Sequence, residues 1–449
     1  MAVIASVKLP GGYRLELSSS VTEYGVRELT LKLPLQVLEA DVKVGVLGEA
    51  AASLLLVEPE SVEGEKGVVG RLAWEYRARV VREELGCLRA VLGRSLVDVK
   101  VPPAYAALSR ARSVGLHYCM FNEALERGIG ELDKVYRGVA AKLGLLDSRG
   151  SLFGNPGKPS IEAVVSVAAR SAARLVARLA GLLASGCRPH QLLVEPWRLV
   201  EAPEGRLALG GCRGRGPPID CSCSRPSIIS SSLLCECNGR RVVVKRYSSA
   251  VYKWILAAPL AARYRFRLSP HSRASAEYFW LRAVRGAVET PSIVELCVEP
   301  FNAYMVRGYI EGTPLSDSSK KDDWIEGGAV LARVHHGGGA SVGDANPTNI
   351  ILGGRGGIID MEQAREYTAW RGAWDITVAA SYSAILLLKP SSLVEALIEG
   401  YMAEAPPGEA SKIARLLSSP GFLIQTPTPP HVAAALRRAV RRSGSAFKT

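Results

Sequence analysis

Hydrophobic and polar positions divide the chain into a strand-then-helix half and a second half that opens on a hairpin. Short runs of strand-forming residues lie at Ala2–Leu9, Tyr13–Leu17, Glu28–Leu33 and Val42–Leu47, and helical patterns follow at Gly70–Leu92, Phe121–Leu145 and Ile161–Leu183. In the last of these, Arg170, Arg174 and Arg178 are four apart and share one face, either a solvated face or a phosphate-binding stripe. Residues 209–218, LGGCRGRGPP, are too rich in Gly and Pro for regular structure. Beyond them, Leu233–Cys237 and Arg241–Tyr247 flank Asn238-Gly239, a strong hairpin signal. Ser269 as N-cap and Pro270 in the first turn introduce a helix over 271–285. On it Glu277, Leu281 and Val284 share a face, so a carboxylate points inward and calls for a cation. Lys245, near the end of the preceding strand, is the cation available.

The segment 343–364, GDANPTNIILGGRGGIIDMEQA, predicts two short strands, Asn349–Leu352 and Gly357–Asp360, around Gly353-Gly354-Arg355-Gly356. A symmetric hairpin pairs 349 with 360, which puts Asn349 and Asp360 together at the open end. Asp344 lies in the preceding loop, broken by Pro347. Two carboxylates and an amide oxygen can then converge, an oxygen set that suits magnesium completed by substrate phosphates. Asp375 begins the run Ile376–Leu388, a helix apolar on every side and hence central; it either caps that helix or anchors the neighbouring loop.

Composition narrows the class. A chain of 449 residues exceeds one ordinary domain of roughly 100 to 200 residues. With 48% hydrophobic and 22% charged residues it is neither disordered nor a disulfide-dense miniprotein. Ile376–Leu388 is too short to span a bilayer and the N-terminus lacks a signal-peptide pattern, so the expected compartment is the cytoplasm, with no membrane partner. The scarcity of Asn and Gln, ten in all, points to a hyperthermophile, where cytosolic disulfides form. The net charge of +13 calls for an anionic partner. It is concentrated between Arg240 and Arg285, where eleven Lys or Arg face one acid, Glu277.

Among nine cysteines, Cys221/Cys223 and Cys235/Cys237 form two C-x-C pairs, with Cys212 nearby. Zinc sites favour wider C-x2-4-C spacing, so packing residues or a disulfide between the pairs is the preferred reading over four-thiolate zinc.

Lys245 in VVVK, Glu277, GD-x4-N at Gly343–Asn349, IID at Ile358–Asp360 and Trp374-Asp375-Ile376, in that order, resemble the protein-kinase-like superfamily over residues 226–449. The segments at 245–247, 264–268, 273–277 and 308–315, with the Arg pairs Arg437-Arg438 and Arg441-Arg442, resemble the small atypical kinase of the archaeal and eukaryotic KEOPS complex, which acts in tRNA modification. LARVH at 331–335, GDANPTN, IDMEQA and AWDI are similar to aminoglycoside and choline kinases.

The expected organisation is α+β: the strand-then-helix pattern and the Gly/Pro break give a separate α+β domain at 1–205 and a linker at 206–225, and for 226–449 the resemblance implies a two-lobed protein-kinase-like domain. It implies an atypical serine/threonine kinase-like phosphotransferase that uses ATP and magnesium. Lys245 would hold the nucleotide phosphates and Glu277 would orient it. Asp344 would accept the acceptor's proton, Asn349 and Asp360 would bind magnesium, and Asp375 would brace the catalytic loop. Ser230, Ser231, Gly308, Tyr309 and Ile310 would line the nucleotide site.

The chain departs from that pattern in four places. Ser227–Ser232 stands where a Gly-rich loop is expected, Arg307 where an apolar residue backs the adenine pocket, Met361-Glu362 where Phe-Gly follows the metal Asp, and Asn346 where protein kinases carry Lys. His335 and His336 carry no metal-ligand spacing and read as packing or solvent-facing residues.

Two other functions remain in view: a pseudokinase or scaffold module, associated with tRNA or a tRNA-modification complex, and a small-molecule kinase. The thirty or so residues between Leu315 and Val342 favour a macromolecular or self acceptor over a small one. The GCRPHQLLVEP and GRLALGG stretches at 186–196 and 205–211 faintly echo a catalytic loop and metal strand, so residues 1–205 are read as an unrelated partner-binding domain or a degenerate kinase-like copy.

Overall fold

The computed structural model describes residues 3–8, 16–21, 27–32, 34–49, 51–57, 66–114, 128–153, 196–209, 221–224, 232–237, 239–247, 264–299, 302–426 and 428–446. The expected helix over 161–183 with its arginine stripe, the 186–195 stretch, and the serine loop with Ser230 and Ser231 lie outside them. The chain is α+β and divides into two compact units, Met1–Ala90 with Leu96–Ala202, and Val91–Ser95 with Pro203–Thr449.

In the first unit, strands β1 (Val3–Lys8), β2 (Glu16–Val21) and β3 (Arg27–Lys32) form a sheet in the order β1-β3-β2, with β1 parallel and β2 antiparallel to β3. Helices α1 (Leu35–Val44), α2 (Lys66–Leu92), α3 (Ala104–Val114) and α4 (Ile129–Lys142) follow.

The strand expected at Val42–Leu47 is instead the end of α1 and a turn. Leu38, Asp41 and Val42 are buried at helical spacing, and Gly45, at φ 68°, closes the helix in the left-handed conformation. The buried Asp41 carboxylate pins that turn by accepting the amides of Leu47 (2.8 Å), Glu49 (3.1 Å), Ala51 (3.0 Å) and Ala52 (2.8 Å). Arg110 on α3 is fully buried and ion-paired to Glu49 (2.8 Å), Glu83 (2.6 Å) and Glu84 (3.0 Å), so a charge in this core is matched by three carboxylates.

The second unit begins with a six-stranded sheet in the order β4-β8-β9-β7-β6-β5. Its strands are β4 (Arg206–Leu209), β5 (Cys221–Ser224), β6 (Ser232–Cys237), β7 (Arg240–Arg246), β8 (Ile293–Glu299) and β9 (Asn302–Gly308). The stretch 206–225, expected as a linker, thus contributes two strands; β4 runs parallel to β8 at one edge. The β6–β7 hairpin pairs Cys237 with Arg240 and turns through Gly239 at φ 71°. A disulfide joins Cys223 to Cys235 across β5 and β6, the pair-to-pair link rather than a zinc site, and Cys237 and Cys297 each take part in a further disulfide. Helix α5 (Pro270–Ala283) follows Ser269 as expected, with Pro270 in its first turn.

Past β9 the chain becomes mainly helical. Short strands β10 (Thr313–Pro314), β11 (Ala340–Ser341), β12 (Ile350–Leu352), β13 (Gly357–Ile358) and β14 (Arg365–Glu366) are set among helices α6 (Lys321–Ala332), α7 (Ala369–Ile385), α8 (Ser391–Glu404), α9 (Pro407–Ser418) and α10 (Pro430–Ala446). Helices α6 and α8 approach closely because Gly328 and Gly400 stand at the crossing. A Cβ on Gly328 would meet the Leu397 carbonyl, and one on Gly400 the Ile325 carbonyl. No helix among the described residues is long and apolar enough to cross a membrane.

Candidate active site

Lys245 is the sixth residue of β7, in the middle of the sheet opposite Met305 of β9. It is buried, and its Nζ lies 2.7 Å from Glu277 Oε2, 2.7 Å from Asp360 Oδ2 and 3.2 Å from Glu362 Oε2. The expected inward face of α5 is therefore real, and Glu277 on it is fully buried. A buried carboxylate needs charge-assisted partners on both oxygens. Glu277 has them: Lys245 takes Oε2, while Arg307 of β9 takes Oε1 and also donates to the Ile359 carbonyl. Arg273, one turn before Glu277 on the same helix, bonds Glu362 Oε2 at 2.8 Å and the Tyr247 carbonyl at 2.8 Å. Three cations thus face three carboxylates in a desolvated cluster.

This matching sets the protonation states. Burial works against the charge on Lys245, but Asp360, Glu277 and Glu362 outweigh it and push the lysine's pKa up. Burial likewise opposes ionisation of Asp360, yet Lys245 and Arg307 bring it down to about 2. For Glu277 burial prevails over Lys245 and the pKa is raised.

The loop beside this cluster is held from below. Asp375 is not a helix cap: α7 starts six residues earlier, capped by Thr368, whose side chain accepts the Arg371 amide. The carboxylate is buried inside the helix and accepts the Val342 amide on Oδ2 (2.7 Å) and the Gly343 amide on Oδ1 (2.8 Å). Its Oδ2 also meets His335 Nε2 at 3.0 Å, and His335 Nδ1 meets the Tyr401 hydroxyl at 2.8 Å. Trp374 Nε1 donates to the Gly343 carbonyl at 3.0 Å. Gly343 itself sits at φ 82°, where a Cβ would strike the Tyr264 hydroxyl and come within 2.8 Å of the Gln363 carbonyl. His335 is placed by a wide π-type turn, Arg333–Gly337, that ends α6; it is a fully buried member of this network, not a surface residue.

Asp344 and Asn349 occupy the two ends of the loop so fixed. Asn349 Nδ2 donates to the Asp344 carbonyl at 3.3 Å, and Ile359 N donates to the Asn349 carbonyl at 3.0 Å, which sets residue 349 beside the strand leading to Asp360. The hairpin register is one residue off the symmetric expectation. Ile350 pairs with Ile358 and Ile351 with Gly357, so 349 faces 359. The glycines cause the shift: Gly353, Gly354 and Gly356 all have positive φ and make an asymmetric turn. At the end of β9, Gly308 packs on Ser292, the Tyr309 amide donates to the Arg241 carbonyl at 3.2 Å, and Ile310 is buried.

A cation would find suitable donors here. Carboxylate oxygens of Glu277, Asp360 and Glu362 lie within 4.8 Å of one another, with both oxygens of Glu277 already paired to Lys245 and Arg307. Such an all-oxygen set fits magnesium.

Four residues of this site were not expected in these roles: Glu362, Arg273, Arg307 and His335. Arg273 carried a usable signal, because it stands four residues before Glu277 on one helix face.

No protein-family model matches the chain and no curated protein matches it. Among solved structures, the crystal structure of aminoglycoside-3'-phosphotransferase of type VIII aligns with 51% of this chain and 96% of its own at 14% identity and a TM-score of 0.28, a likeness too low to carry a functional assignment.

Proposed function

We propose that the second unit is an ATP-dependent phosphotransferase that moves the γ-phosphate to a hydroxyl, in the manner of an atypical serine/threonine kinase. One observation carries the reading: a buried lysine joined in a single cluster to a helix carboxylate and to Asp360, beside a loop whose amides are fixed by a buried Asp375. Phosphoryl transfer asks a protein chiefly for positioning and for positive charge around the transferred group.

In this reading Lys245 binds the nucleotide phosphates, with Glu277 setting its position and Arg307 setting that of Glu277. Gly308, Tyr309 and Ile310 contact the base. Asp344 orients the attacking hydroxyl and takes its proton. Asn349 and Asp360, with Glu362, would hold magnesium, which when bound neutralises charge on the nucleotide phosphates.

The test is transfer of labelled phosphate from magnesium-ATP by wild type and Asp344→Asn. Loss of about a hundredfold or more in the variant, with ATP binding retained, is expected for a group that handles the proton. Equal rates would remove Asp344 from the chemistry.

A further inference from the structure

Four arginines from three segments gather beside the loop that carries Asp344. Arg94 belongs to the short segment Val91–Ser95 of the second unit, Arg267 to the stretch before α5, and Arg365 and Arg371 to β14 and the start of α7. Their guanidiniums are held mostly by peptide carbonyls. Arg267 Nη1 donates to the Ala364 carbonyl at 2.9 Å and the Gln363 carbonyl at 3.4 Å, Arg365 Nη2 to the Arg265 carbonyl, and Arg371 Nη1 to the Glu366 carbonyl at 2.7 Å. Arg94 alone has a carboxylate, Glu366, at 2.8 Å.

Four cations to one carboxylate is the reverse of the balanced Lys245 cluster. Burial, followed by repulsion from Arg365, lowers the pKa of Arg267 to about 10, with Arg94 and Arg371 adding to it. The Nε of Arg365 is buried with no hydrogen-bond partner, and Arg371 places a cation in the first turn of a seventeen-residue helix, where the dipole disfavours it. Gln363, which Arg267 grips, is the residue whose carbonyl packs on Gly343, next to Asp344.

We propose that Arg94, Arg267, Arg365 and Arg371 form a binding site for a phosphate monoester carried by the acceptor, which presents its hydroxyl to Asp344. The naming of the ligand as acceptor rests on the phosphotransferase reading; the anion site itself does not. A compact group of guanidiniums fits the forked hydrogen bonding of one phosphate, whereas a polynucleotide would need a stripe of cations.

The experiment is equilibrium dialysis of the full chain against radiolabelled inorganic phosphate, without nucleotide, for wild type, Arg371→Gln, Arg94→Gln and Lys245→Met, each first checked for a cooperative thermal transition. Arg94 is exposed, so its variant folds even where loss of the Arg371 anchor does not allow it. Saturable binding in wild type and Lys245→Met, weakened about tenfold in either arginine variant, is expected. No binding by wild type, equal binding in the arginine variants, or loss only in Lys245→Met would overturn the site. So would a salt-sensitive affinity for a short RNA lacking terminal phosphates, lost in the arginine variants while phosphate does not bind. Turnover is not the readout, so failed phosphoryl transfer leaves a positive binding result standing, and failed binding leaves the Lys245 cluster untouched.

Discussion

Arg307 and Glu277 are ion-paired, so the carboxylate of α5 is tied to the sheet twice, through Lys245 of β7 and through Arg307 of β9. An apolar side chain at 307 would leave one oxygen of a buried carboxylate without a charged partner. Arg307→Met is expected to cost about 1–3 kcal/mol of stability, because Lys245 still compensates the charge. Thermal or denaturant unfolding checks this, and a variant as stable as wild type would show that the second tie is idle.

Asp375 holds two amides and a histidine at once. Asp375→Ala strands all three donors in the core and is expected to cost about 3–5 kcal/mol. Asp375→Asn keeps the shape but sets an amide N–H against one backbone N–H. Its predicted signature is a fall in kcat with KM for ATP little changed, measured by steady-state kinetics, since the loop moves while the Lys245 cluster stays.

Much of this site was legible in the residues. An inward Glu277 demanded a cation and Lys245 was within reach, and the two short strands between Asn349 and Asp360 were read as a hairpin. What failed had physical causes. The hairpin register depended on which glycines take positive φ, and a composition of four turn residues does not specify that. Of the two roles open to Asp375, the cap fails because the helix already begins at Ala369, before the apolar run, and the loop anchor holds through the Val342 and Gly343 amides. Arg307 and Glu362 found partners only through strand order and helix placement, and His335 through a π-type turn that local spacing does not announce.

His336 gives the fold an acid-sensitive point. Burial, and then the neighbouring His335, lower its pKa from 6.5 to about 4, against a smaller opposing effect of Glu409. A lowered value means the unfolded chain binds the proton more readily, so this group's stabilisation is present above pH 6.5 and declines as pH falls towards 4. His336→Gln should flatten the melting temperature across that window; an unchanged slope would assign the sensitivity elsewhere.

The Cys223–Cys235 disulfide closes a short loop, with the two cysteines 12 residues apart in sequence. On loop-closure entropy its loss costs about 3 kcal/mol. Cys223→Ser/Cys235→Ser should therefore lower the unfolding midpoint of the second unit, and a reductant should move wild type in the same direction.

The most direct test of the whole account is transfer of labelled phosphate from magnesium-ATP by wild type and by Asp360→Ala, the carboxylate shared between Lys245 and the proposed metal site. The account predicts transfer above background in wild type and its loss, by about a hundredfold or more, in the variant. Equal background rates in both would contradict it.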